Sequence, residues 1–143
     1  MSAEAEIRAV LDARIDAMRR KDAAAAIALL APDITAFELA PPLALKSEAA
    51  RDEAGLAAWF AMFEGGVEVE LRDLVIEADG DVAIAHSLNR LIATRKDGVA
   101  VDFWMRSTLG FRRTDGVWKI SHGHTSVPFY MDGSYRAARD LQP

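Results

Sequence analysis

The chain has 143 residues, 51% hydrophobic and 27% charged, with a formal net charge of −5 and no cysteine. By length and composition that is one ordinary globular domain, 1–143. The missing cysteines exclude disulfide scaffolds, thiolate metal sites and a nucleophilic thiol, and the negative charge argues against a nucleic-acid backbone as partner. No stretch nears the roughly 18 apolar residues of a membrane span. The start, MSAEAEIRAV, carries early acids and no apolar run, unlike a secretory signal. The expectation is a cytoplasmic domain with neither nucleic acid nor membrane as partner.

Helices come first. Ile7, Val10, Leu11, Ile15 and Met18 fall on one stripe of a 3.6-residue period, with Glu4 and Glu6 suited to the positive N-terminal end. Asp22 caps a second short helix, Ala23–Leu30, which Pro32 stops. Ile34–Leu39 is strand-like and ends at Pro41-Pro42. A third helix presents Leu56, Trp59, Phe60 and Phe63 at i, i+3, i+4, i+7 and stops at Gly65-Gly66.

Three Asp-Gly dipeptides then follow: Asp79-Gly80, Asp97-Gly98 and Asp115-Gly116. Each lies between alternating apolar runs, the pattern of a two-residue hairpin turn, so together they predict a four-stranded antiparallel meander. Counting outward sets Asp73 opposite His86, Arg90 opposite Met105, Ser107 opposite His124 and Leu109 opposite His122. One apolar face then collects Val69, Leu71, Val75, Ile84, Leu88, Phe103, Met105, Leu109, Phe111, Trp118 and Ile120. Helices followed by a meander imply an α+β fold, helices covering one face of a curved sheet. After Pro128 the signals are weak, with a short helix read around Tyr135–Leu141.

Polar groups that this register places on the covered face carry the chemistry: Asp73, His86, Arg90, Ser107, His122, His124 and Ser126. Burying them unpaired costs several kcal/mol, so they imply a polar-lined cavity. Asp73 beside His86 is the arrangement of an oriented general base, and it reads equally as a structural hydrogen bond. His122 and His124 are further acid–base candidates; with no thiolate and one nearby acid, no metal and no cofactor are expected. Arg90, Ser107 and Ser126 are assigned to substrate oxygens, and Trp59 to the pocket wall or the core. Arg106 is the alternative anion binder, should a bulge slip the last hairpin and turn Ser107 out. The opposite face carries Ala83, Ala85, Ser87 and Ala93 beside Leu74, Ile76 and Trp104, which predicts a homodimer through the outer face of the sheet.

The stretch Trp104-Met105-Arg106-Ser107-Thr108, then Asp115–Ser126 with its Gly-x-Trp-x-Ile-x-His-x-His-x-Ser pattern and Pro128, resembles the SnoaL-like, ketosteroid-isomerase-like branch of the nuclear transport factor 2 superfamily. Phe37–Leu43 is similar to the segment after the second helix there. The resemblance implies a cone-shaped α+β fold, usually a homodimer, with a pocket between sheet and helices. Members include steroid isomerases, polyketide cyclases, dehydratases, epoxide hydrolases and non-catalytic association domains. Steroid isomerases use a first-helix tyrosine and an acid on the third meander strand. Here the tyrosines are Tyr130 and Tyr135 and the third strand offers Ser107, so steroid isomerisation itself is not expected. Two readings stay open: a cofactor-independent acid–base enzyme acting on a small apolar oxygenated molecule, or a ligand-binding or dimerisation module.

Overall fold

A computed structural model describes residues 1–143. Helix α1 (Ala3–Arg20) opens at Ser2, whose hydroxyl accepts from the Ala5 amide at 3.1 Å, and ends where Lys21 turns left-handed (φ 55°). Glu4 and Glu6 sit in its first turn, Arg19 and Arg20 in its last, complementing the helix dipole. Asp22 caps α2 (Ala23–Ala28) through the Ala25 amide at 3.0 Å. Strand β1 (Leu30–Phe37), a short β2 (Leu45–Lys46), a 3-10 turn (Ser47–Arg51) and α3 (Glu53–Phe60) follow. The meander is β3 (Phe63–Asp79), β4 (Val82–Arg95), β5 (Ala100–Thr114) and β6 (Val117–Ser126). One six-stranded sheet runs β2-β1-β6-β5-β4-β3, antiparallel except where β1 lies parallel to β6. This is the expected α+β architecture, with helices on the concave face. No helix is long and apolar enough to cross a membrane.

Local boundaries differ from the sequence expectation in several places: α2 ends at Ala28 rather than Leu30, before Pro32 is reached, and β1 ends at Phe37 rather than Leu39. α3 stops at Phe60, and Phe63 already begins β3. β1 starts at Leu30 and carries Pro32 within a register irregularity against β6, where its missing N–H is harmless. The tail forms an isolated bridge between Phe129 and Ala137 where a helix was expected.

The registers matter more. Asp79 pairs with Val82, so the first loop is Gly80-Asp81, one residue further on than expected, with Gly80 at φ 59° in the first central position. The second loop has three residues, Lys96-Asp97-Gly98, closed by Arg95 and Val99. The third is the expected two-residue Asp115-Gly116, with φ 52° and 77° at its two positions. Three irregularities add further slips. One, between the Glu64–Thr94 and Glu68–Ile92 pairs, moves the register by two and so keeps the faces. The others are bulges: one at Asp73 (φ 56°), between the Arg72–Leu88 and Val75–His86 pairs, and one at Ser121, between the Phe111–Ile120 and Gly110–His122 pairs.

The consequence is a reversed β4. Ala83, Ala85, Ser87, Asn89 and Leu91 face the helices, while Val82, Ile84, His86, Leu88 and Arg90 face outward. On β3 the bulge turns Leu74 and Ile76 inward and Val75 outward. β5 keeps its expected face, with Phe103, Met105, Ser107, Leu109 and Phe111 inward. On β6, Trp118 and Ile120 are core as expected, but beyond Ser121 the strand turns over.

The core falls into two clusters. Ile7, Leu11, Ile34, Ala85, Leu109, Phe111, Trp118 and Ile120 form one; Ala23, Phe60, Phe63, Val67 and Ala93 form the other. The buried indole N–H of Trp118 donates to Glu6 Oε2 at 2.8 Å, so it enters the core satisfied.

Candidate functional site

A cavity of about 500 Å³ opens between the two clusters, taking Leu11, Ala85 and Leu109 from one and Phe63 from the other. Its roof is α1, which presents Leu11, Arg14, Ile15 and Met18 at helical spacing. Trp59 and Met62 close one end and the Glu38–Ala40 segment the other flank. The floor is the concave sheet, including Val69 and Leu71 of β3, Leu91 of β4, and Phe103 and Met105 of β5. Of 24 lining residues 17 are hydrophobic, so an apolar molecule fits the wall chemistry and few polar groups would orient it.

Those polar groups are Arg14, Glu38, Ser87, Asn89, Arg95, Ser107 and Thr125. Ser87 Oγ donates to Asn89 Oδ1 at 2.6 Å, which leaves the Asn89 amide N–H groups for a ligand oxygen. Thr125 Oγ1 donates to Glu38 Oε2 at 3.4 Å. Ser107 is 5% exposed, the buried polar residue of the sheet. Arg95 pairs with Asp97 at 2.8 Å. Arg14 is different: burial among apolar neighbours lowers its pKa from the usual arginine value, nearby Glu38 partly opposes that, and no hydrogen bond contributes.

Of the residues assigned from the sequence, Ser107 and Trp59 line the cavity. The others do not. Asp73 sits exposed in its bulge, and His86, paired with Val75 and Thr108, is exposed on the convex face, so the expected Asp73–His86 contact is absent. Arg90 is outward, gripping Asp102 through Nε and Nη2, both at 2.8 Å. Arg106 is outward as well and donates from Nε to Ser126 Oγ at 3.1 Å. The Ser121 bulge puts His122, His124 and Ser126 on the convex side. There the His122 Nδ1–H donates to the Thr35 carbonyl at 2.7 Å, and both imidazoles stand edge-on to Phe37, with centroids 5.0 and 5.3 Å away. The physical reason is one of parity: a one-residue slip reverses every side chain beyond it.

Sequence reasoning missed Arg14 although a signal was present. It stands three residues after Leu11 and four before Met18, a charge set into the apolar stripe of α1. Glu38 gave no such sign, because only the parallel pairing of β1 with β6 brings its segment beside Thr125.

The SnoaL-like domain family matches residues 7–130. The chain belongs to the SnoaL-like domain family. This SnoaL-like protein is similar over 100% of its length, and 99% of the other chain, to an NTF2-like protein of unknown function from Pseudomonas putida KT2440, with 36% identity and a TM-score of 0.83. A proposed dehydratase of the NTF2-like family from Streptomyces avermitilis aligns over 86% of this chain and 94% of its own, at 20% identity and a TM-score of 0.74. A nuclear transport factor 2-like superfamily protein from Salmonella enterica serovar Typhimurium aligns over 93% and 96%, at 17% identity and a TM-score of 0.76. The last two likenesses are of fold. No curated protein matches the SnoaL-like sequence.

Proposed function

We propose that the cavity under α1 binds a small, largely apolar, oxygenated molecule and that Glu38 exchanges a proton with it. The observation that carries the reading is the cavity itself: an apolar wall with a short polar strip, among which Glu38 is the carboxylate. Isomerisation, dehydration and cyclisation share one elementary step, in which a base takes a proton from carbon or oxygen and returns it elsewhere. Ser107 and the Asn89 amide can hold the substrate oxygen while that happens. The histidines, facing away, have no part in this chemistry.

The test is deuterium uptake in heavy water by two enolisable probes, 2-tetralone and phenylpyruvate, one neutral and one acidic. Protein-dependent uptake at the α-carbon of at least one probe is expected, lost in Glu38→Gln and retained in His86→Ala. Uptake no faster than in buffer, or unchanged by Glu38→Gln, would contradict the proton-transfer role.

The proposal includes a homodimer through the convex face. Its motive is no longer the row of small residues, which faces the helices. It is the apolar surface that the Asp73 bulge in β3 and the reversed β4 turn outward: Val75, Val82 and Ile84 are 40%, 59% and 41% exposed, with Leu88 and Ile92 on the same side. A second copy would cover that surface isologously. Light scattering at micromolar concentration should return a dimer for the wild type and a monomer for Ile84→Asp; a wild-type monomer would end the idea.

A further inference from the structure

We infer that the cavity selects organic acids, the apolar body lying against the concave sheet and the carboxylate held by Arg14. This rests on the small-molecule reading above and names the class of molecule. α1 carries four arginines, and three have carboxylate partners: Arg8 with Glu4, Arg19 with Glu68 and Arg20 with Asp16. The fourth, Arg14, turns into the cavity between Leu11, Ile15 and Met18 and has no such bond.

The other two charges on the wall are engaged elsewhere. Arg95 has Asp97. Glu38 takes a hydrogen bond from Thr125 and acts on Arg14 only through space. A guanidinium keeps its proton throughout the working range even when burial lowers its pKa. Its planar fork matches a carboxylate in two parallel hydrogen bonds, and an apolar wall strengthens that attraction by excluding water. A phosphate would bring about two charges to one free cation with Glu38 nearby, so the single charge of a carboxylate is the better match. The cavity of about 500 Å³ suits a body of one or two rings.

Calorimetric titration with 2-naphthylacetate and its neutral isostere 2-naphthylacetamide separates the outcomes. The wild type should bind the acid about tenfold or more tightly than the amide. Arg14→Gln should erase that preference, bringing the acid down to the affinity of the amide, and Arg14→Lys should keep part of it. Glu38→Gln should tighten the acid alone, because it removes a neighbouring negative charge. Equal wild-type affinities for acid and amide, or a preference that survives Arg14→Gln, would overturn the inference and leave the small-molecule reading standing. If neither compound binds the folded wild type at millimolar concentration, both fall. Should Arg14→Gln not fold, the wild-type ratio and Arg14→Lys still decide.

Discussion

Phe111→Ala should cost about 3–5 kcal/mol of unfolding free energy, whereas Phe103→Ala, on the same face of the same strand, should cost about 1–2 kcal/mol. Phe111 is 2% exposed and lies in the cluster with Ile7, Leu11 and Trp118. Truncating it leaves a hole among side chains already fixed by α1 and β6, and the lost transfer energy adds to the cavity penalty. Phe103 borders space that exists already, so its removal enlarges a cavity and forfeits fewer contacts. Urea unfolding at one fixed protein concentration, needed because a dimer would make stability concentration-dependent, gives both values. Equal losses would mean that the space between the two clusters closes in solution.

The second large effect is expected at Gly66. A Cβ there would stand 2.3 Å from the carbonyl oxygen of Arg19 and 3.2 Å from its carbonyl carbon, both backbone atoms in the last turn of α1. Nothing at that contact can rotate away, so Gly66→Ala must push α1 off β3, at about 1–3 kcal/mol or more. Because α1 is the cavity roof, the same change should weaken 2-naphthylacetate binding. Gly65→Ala is the control: the position has φ 65° with nothing within 4 Å, so it should lose about 1–2 kcal/mol of stability to backbone strain without touching binding. If Gly66→Ala leaves binding at the wild-type level, the roof assignment is mistaken.

The sequence discloses elements more readily than faces. α1 and α2 are legible because their caps, stripe and dipole charges agree, and the Asp-Gly pairs do mark all three turns. β5 is oriented as expected because its large apolar residues alternate with Asp102, Arg106 and Arg112. β4 is not, because both its faces are apolar: Val82, Ile84, Leu88 and Ile92 against Ala83, Ala85, Leu91 and Ala93. Choosing the larger set as the buried one reverses the strand, since here the small residues give α1 and the cavity their room. The bulges at Asp73 and Ser121 leave no mark that counting by twos can detect, and the second carries His122, His124 and Ser126 away from the cavity. Ser107 holds its place because it sits on the strand whose alternation is unambiguous. Glu38 depends on a parallel pairing between distant segments, which no local pattern announces.

The central claim is that the small-molecule site is the concave cavity and not the histidine-bearing face. The methionines report on it directly. Met18, Met62 and Met105 line the cavity, while Met1 and Met131 are 90% and 82% exposed elsewhere. With methyl-labelled methionine, titration of 2-naphthylacetate should shift the resonances of Met18, Met62 and Met105. Those of Met1, Met131 and the imidazoles of His86, His122 and His124 should stay in place. Movement of the imidazole signals with the three cavity methyls unmoved would contradict the claim.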